Sequence, residues 1–433
     1  MKRIFKKVLT FSGLGLLAAL SSPVFASGYK LEFQSPSVLA DGGEAAVVED
    51  AGTNWYNAAG LVYLPQQFVG AVTDVYQQTK FSGTSTALSP LAAFGAPNYV
   101  NTNSDASSYP NVVLPAFHYS LPFYNRYAVG ISMVPAWGLM EDYGETSDVR
   151  YNLNKITTKT IDISPSFAMK INDQWSFGLG PDFHYFSLQS RSHAYTQPIT
   201  GSDSVSRYTA NNWGRGWHAG LLLRLNDATR IGLGYRSKIV MNMTGNSDFA
   251  LTNLAGYTTN QFKVSIPLPP TTTLSIYRDI NPVWALMGTI AYDQWSVIQY
   301  YYGQNFIQPP TAANPSGLTN VVLRQNFSDT LNLSIGTHYK WNDKWMLRGS
   351  LKFEGTPTQT AHRAVSFPDA QKLGVNLGAR YQVNQKVAID MIVAHVFNQQ
   401  VSINDVNPAS GATSVGHVNT SINLVGAQVV WNI

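Results

Sequence analysis

The chain has no cysteine, which excludes disulfide staples, thiol nucleophiles and thiolate metal sites. Charge is scarce: 12% of residues are Asp, Glu, Lys or Arg, about half the ~25% usual in soluble domains. Excess charge of either sign is missing too. Lys2, Arg3, Lys6 and Lys7 account for the whole formal +4, and without them 25 basic residues face 25 acidic ones. That balance gives no basis for nucleic-acid binding. Beyond the first residues, no stretch reaches the roughly 18 apolar residues that a spanning helix needs. Catalytic signatures are absent as well: there is no G-x-S-x-G, no H-E-x-x-H and no phosphate-binding glycine loop. The histidines (118, 184, 193, 218, 338, 362, 395 and 417) are scattered without metal-ligand spacing. Neither a catalytic residue nor a metal or cofactor is expected. A Ser/His dyad assembled across neighbouring strands stays open as the enzymatic alternative, and a porin or adhesin as another.

What the chain does have begins with a leader. The four basic residues precede an apolar run, Val8 to Leu20, and Val24-Phe25-Ala26 supplies a small-residue cleavage site. Residues 1–26 therefore read as a secretory signal peptide, too short in its apolar part to span a membrane. An Asn-centred turn then recurs, at Asn125, Asn172, Asn226, Asn281, Asn342 and Asn384, with spacings of 47, 54, 55, 61 and 42 residues. Asn suits tight turns because it tolerates left-handed dihedrals and hydrogen-bonds its own backbone. Each interval holds a strand out, a longer polar loop and a strand back. Six turns joining twelve strands, with one strand before and one after, make fourteen.

The flanking segments alternate with period two. Leu347, Gly349, Leu351 and Phe353 lie on one face and Arg348, Ser350, Lys352 and Glu354 on the other. A soluble sandwich alternates similarly, but runs of about ten residues are the length a tilted strand needs to cross a bilayer. Trp175, Trp284, Trp341 and Trp345 stand beside turns, where an aromatic girdle would sit. The chain ends on its last strand, with Val425, Val429, Trp431 and Ile433 predicted to face lipid, which suits closure without an open edge. The fold class is thus all-β: a 14-stranded antiparallel transmembrane β-barrel over residues 66–433, in the outer membrane of a bacterium. Before it, residues 27–65 are rich in small residues, lack alternation and suit a plug folded into the lumen.

Several segments together resemble the FadL family of outer-membrane long-chain fatty acid transporters. They are Ser27-Gly28-Tyr29-Lys30-Leu31 through Asn57-Ala58-Ala59-Gly60-Leu61, Trp137-Gly138-Leu139-Met140-Glu141-Asp142-Tyr143, Ser164-Pro165-Ser166-Phe167-Ala168, Gly234-Tyr235-Arg236-Ser237-Lys238 and Phe367-Pro368-Asp369. The resemblance runs in order along nearly the whole mature chain. It implies a monomeric barrel closed by an N-terminal hatch, with passive uptake of a hydrophobic small molecule, most readily a long-chain fatty acid. Aromatic hydrocarbons are the alternative cargo. It also implies an inward kink in the third strand, matched here by Pro135 and Gly138, for sideways release into the bilayer. Read by itself, Pro135 either opens the wall or marks where the strand ends. Arg191, expected on the loop after the fifth strand, and Arg324, at the start of the tenth, are candidate carboxylate partners. The family's Asn-Pro-Ala hatch motif appears as Asn57-Ala58-Ala59, so either gating loosens or packing alone holds the backbone. The usual terminal aromatic is replaced by Ile433. Outer-membrane lipids, lipopolysaccharide and the barrel assembly machinery are the remaining expected partners.

Overall fold

The computed structural model describes residues 28–89, 95–250, 256–308, 314–407 and 410–433. The expected signal peptide lies outside the described residues. Fourteen strands close a ring. They are β1 (Gln67–Ala87), β2 (Tyr99–Ser108 and Asn111–Phe123), β3 (Tyr127–Val134 and Leu139–Asp142), β4 (Lys155–Lys170) and β5 (Trp175–Ala194). Next come β6 (Ser204–Asn226), β7 (Thr229–Arg236 and Ile239–Ala250), β8 (Tyr257–Leu268 and Thr271–Asp279) and β9 (Trp284–Asp293 and Tyr300–Ile307). The wall ends with β10 (Leu318–Arg324 and Thr330–Lys340), β11 (Trp345–Glu354), β12 (Lys372–Gln382), β13 (Val387–Asn398 and Val401–Val406) and β14 (Thr413–Asn432). Each strand pairs antiparallel with its sequence neighbours. β14 returns to β1 in continuous register from Gln67↔Asn432 to Thr86↔Thr413. The last residue joins this closure through its backbone, Ile433 N donating to Gln66 O at 3.0 Å, a bond indifferent to the loss of a terminal aromatic.

The Asn turns work mainly by side-chain capping. Asn172, Asn281, Asn342 and Asn384 each accept from two following backbone N–H groups, at 2.8 to 3.0 Å. Only the first turn uses left-handed dihedrals, at Tyr124 and Asn125. The strands are inside-out relative to a soluble protein. Leu351, Ile335 and Val425 are exposed, whereas Asn332, Arg348 and Lys352 are buried, so the apolar face meets lipid and the polar face lines the lumen.

Strands run further than the alternation suggested. Tyr99–Ser108 forms a strand paired with the far half of β1. The wall therefore extends past the membrane, because unpaired backbone there is better satisfied by a neighbouring strand than left open.

Residues 28–65 carry two short helices, α1 (Pro36–Asp41) and α2 (Thr53–Tyr56), and a 3₁₀ turn, Ala58–Tyr63. This segment is bonded to the wall on all sides. Asn54 reaches Ser132 of β3, Ala59 O accepts from Ser176 of β5, Asn57 reaches Leu221 O of β6, and Ser334 of β10 and Ser350 of β11 bond Gly42 O and Leu39 O. Contacts around the whole ring put it inside the lumen. Small wall residues make room: a Cβ at Gly336 would lie 1.6 Å from Asp41 O, and one at Gly220 2.0 Å from the Asn57 side chain.

Candidate functional site

β3 stops at Val134 and resumes at Leu139. Pro135 and Gly138 bracket the break, and the intervening backbone leaves the ladder to bond the hatch. Leu31 N donates to Ala136 O and Gly138 N to Tyr29 O, both at 3.0 Å, while Gln34 Nε2 donates to Pro135 O at 3.0 Å. On the other side, the Thr158 and Thr160 hydroxyls of β4 accept from Leu139 N at 2.6 Å and Trp137 N at 3.1 Å, replacing lost backbone partners. Pro135 O, Ala136 O, Trp137 N, Gly138 N and Leu139 N are thus all partnered, which helps the detour persist in the wall.

The detour opens a gap in the wall. β2 and β3 pair only from Phe117↔Met133 to Phe123↔Tyr127. Residues 111–116 of β2 have β1 on one side and no backbone partner on the β3 side. Beyond the break β3 pairs with β4 alone, from Leu139↔Thr158 to Asp142↔Lys155. A cavity of about 540 Å³ lies here, predominantly apolar. Its lining includes Leu31 and Phe33 of the hatch and Leu424 of β14, but also Val113, Phe117 and Met133. Those last three are exposed on the outer face, so the cavity passes from lumen to lipid side. Aromatic rings close one flank: Tyr29 packs against Trp137, Trp295 and Phe367 with centroids 5.0 to 5.7 Å apart.

The lysines that hold the hatch beside this cavity are paired. Lys30 Nζ lies 2.9 Å from Asp293, Lys352 bridges Glu32 and Glu44, and Lys372 lies 3.2 Å from Asp369. Burial alone would raise the Glu32 carboxyl, but Lys352 and Lys30 outweigh it and bring it down to about 2. Deeper in, Arg348 of β11 contacts hatch residues Asp41 (3.1 Å) and Glu49, and Asp390 of β13. Burial, opposed by Arg348 and assisted by Glu49, pushes Asp41 up to about 7. For Glu49 the balance reverses, and Arg348 and His338 hold it well below the carboxylate range despite burial. Asp41, Glu49 and His338 offer three metal-type donors within 4.8 Å of one another. The Arg348 guanidinium already supplies the positive charge there.

Of the residues singled out from sequence, Asn57 spans hatch and wall. Its Nδ2 donates to Ala45 O at 2.8 Å and Leu221 O at 2.9 Å, while Oδ1 accepts from Ala59 N at 3.1 Å. Ala58 and Ala59 are buried behind it. Arg191 and Arg324 need correction in place. Arg191 is inside β5, paired with Arg207 of β6, and its side chain bonds Glu145. Arg324 ends the outer segment of β10, exposed. Neither lines the cavity, because continued strand pairing carries both along the wall away from it. A Ser–His–Asp chain does form across strands: Ser166 Oγ is 2.8 Å from His218 Nε2, and His218 Nδ1 is 2.7 Å from Asp182. All three are buried, none lines the cavity, and Asp182 is held by Arg236, which also bonds Trp55 O of the hatch. It is a wall-to-hatch tie.

The model of the outer membrane protein transport protein family (OMPP1/FadL/TodX) matches residues 17–432. The chain belongs to this family. It is accordingly an outer-membrane transport protein, not an enzyme. Among its relatives, the long-chain fatty acid transport protein of Salmonella typhi is 26% identical, over 92% of this chain and 94% of that one. Outer membrane protein P1 of Haemophilus influenzae is 22% identical over 91% and 93%. Of solved structures, a Pseudomonas aeruginosa FadL homologue superimposes with TM-score 0.80 at 18% identity, over 94% of this chain and all of that one. Sequence reasoning missed the hatch-to-kink pairing and the cavity wall of β4. Thr157 to Ile161 carries no motif, and only the fold brings it beside β3.

Proposed function

We propose that this FadL-family barrel takes up long-chain fatty acids by binding the acyl chain in the cavity and releasing it sideways between β2 and β3. The observation that carries this reading is the continuity of one cavity from hatch residues Leu31 and Phe33 to outward-facing Val113, Phe117 and Met133. An aqueous pore offers an oily chain no affinity, whereas a dry pocket gains about 0.8 kcal/mol per buried CH₂. A volume near 540 Å³ lies within the range usual for small-ligand sites. Transport needs no energy input here, since the cargo moves towards the lipid phase it prefers. The curated relative's role in fatty acid transport favours an acid cargo. The rings around Tyr29 favour a second reading, an aromatic hydrocarbon, because edge-on rings suit a flat guest.

The test is lipid extraction and mass spectrometry on detergent-purified protein, followed by competition binding with oleate and toluene. Co-purified fatty acid displaced by oleate supports the acid reading. Binding of toluene alone transfers the chain to hydrocarbon uptake, and binding of neither overturns the proposal.

A further inference from the structure

We infer that Lys159 is the anion-binding residue at the side opening, where it holds the carboxylate of a long-chain acid while the acyl chain moves into the bilayer. The inference rests on the uptake reading above and adds a residue that discriminates acids from hydrocarbons.

Four observations meet at this side chain. Lys159 lines the cavity and is exposed on the outer face of β4. The other cavity-lining lysines, Lys30, Lys352 and Lys372, each have an acidic partner. Among the described residues the Lys159 side chain forms no ion pair and no hydrogen bond, although the Lys155 side chain, four residues earlier, binds Asp142. Its height is also right. Outward positions of β4 rise from the Asn172 turn as Met169, Phe167, Pro165, Ile163 and Ile161, and Lys159 is the next. At about 3.3 Å per residue and a tilt near 40°, the stretch from Met169 to Lys159 rises about 25 Å, the height of a barrel's lipid-facing band. Lys159 therefore stands at head-group depth.

Position relative to the gap completes the argument. Thr158 and Thr160 spend their hydroxyls on the β3 detour, so neither is available to a head group. Among the described residues, the ammonium between them stands beside the exit without a partner. A carboxylate there keeps its charge in the interface while the chain passes Met133 and Phe117 into lipid. An uncharged hydrocarbon gains nothing from it.

The test uses full-length protein reconstituted in phospholipid vesicles, with uptake of oleate, methyl oleate and toluene measured for wild type, Lys159→Gln and Lys159→Arg. We expect Lys159→Gln to slow oleate uptake about fivefold, as for loss of a partly exposed ion pair. Methyl oleate and toluene should be unchanged, and Lys159→Arg should retain oleate uptake. Heat-modifiable migration in gels confirms that each variant is a folded barrel. Equal oleate uptake by wild type and Lys159→Gln overturns the assignment while leaving uptake intact. So does equal slowing of all three cargos. Wild type that moves none of the three overturns the uptake reading itself.

Discussion

Arg348→Met should release the hatch without harming the barrel. Arg348 is buried on β11 and neutralises two hatch carboxylates, Asp41 and Glu49, together with Asp390 of β13. Methionine keeps much of the volume and removes the charge. Arg380 still holds Asp390 at 2.8 Å, and His338 still lies 3.0 Å from Glu49, so compensation is partial. The low end of the cost for breaking a buried pair applies, about 3 kcal/mol, or about a hundredfold in the opening equilibrium of the hatch. Amide hydrogen exchange in detergent reads this directly. The Gly42, Ala46 and Val47 amides, bonded within the hatch, should lose protection by that factor, while the β1–β14 seam keeps its own. Planar-bilayer recordings should show steady conductance where wild type shows none. Adding Glu49→Gln to the variant should recover part of the protection, because one unpaired charge is removed. Unchanged hatch protection, or equal loss in hatch and seam, would refute the claim that this cluster anchors the hatch.

Ala58→Pro should be tolerated and stabilise by about 0.4–1 kcal/mol through the unfolded chain. Asn57 is already extended (φ −160°, ψ 95°) and Ala58 opens a 3₁₀ turn, which suits the residue before proline and the first position of a helix; urea unfolding midpoints check it. Asn57→Ala strands two carbonyl partners and one amide, at about 1 kcal/mol each, visible as faster exchange in residues 45–60. Acid should loosen the hatch. Glu32, at about 2, and Glu49, held low by Arg348 and His338, are depressed from an ordinary 4.5. Their stabilisation is present above about pH 4.5 and is lost as pH falls towards 2, whereas Asp41, pushed up to about 7, acts with the opposite sign; in Asp41→Asn, where that opposition is gone, hatch protease sensitivity should rise at pH 3 relative to pH 6. Arg191→Ala and Arg324→Ala should leave oleate affinity unchanged, since neither side chain lines the cavity.

The barrel was legible in sequence because its signals are local. An Asn that caps its own turn and a strand that alternates every two residues need no distant partner to be recognised. Strand number and the inside-out faces follow from those two features. The site was legible only in outline. Pro135 announces trouble for a strand, but whether it ends β3 or interrupts it depends on Thr158 and Thr160 of β4, which sequence does not place beside it. Arg191 and Arg324 misled for the same reason: a charge near a strand end carries no record of which side of the wall it meets. Lys352 and Arg348 were visible on the polar face, yet their hatch partners Glu32, Glu44 and Glu49 lie some three hundred residues away in the chain.

Photolabelling with diazirine-bearing oleate tests sideways release most directly. Label on Leu31 and Phe33 in the lumen and on outward Val113, Phe117 and Met133 should fall together when excess oleate competes. Label on Ile335 and Leu377, exposed to lipid elsewhere on the wall, should not be competed. Competition confined to the lumen positions, with Val113, Phe117 and Met133 behaving like Ile335 and Leu377, would contradict a cargo path through the gap between β2 and β3.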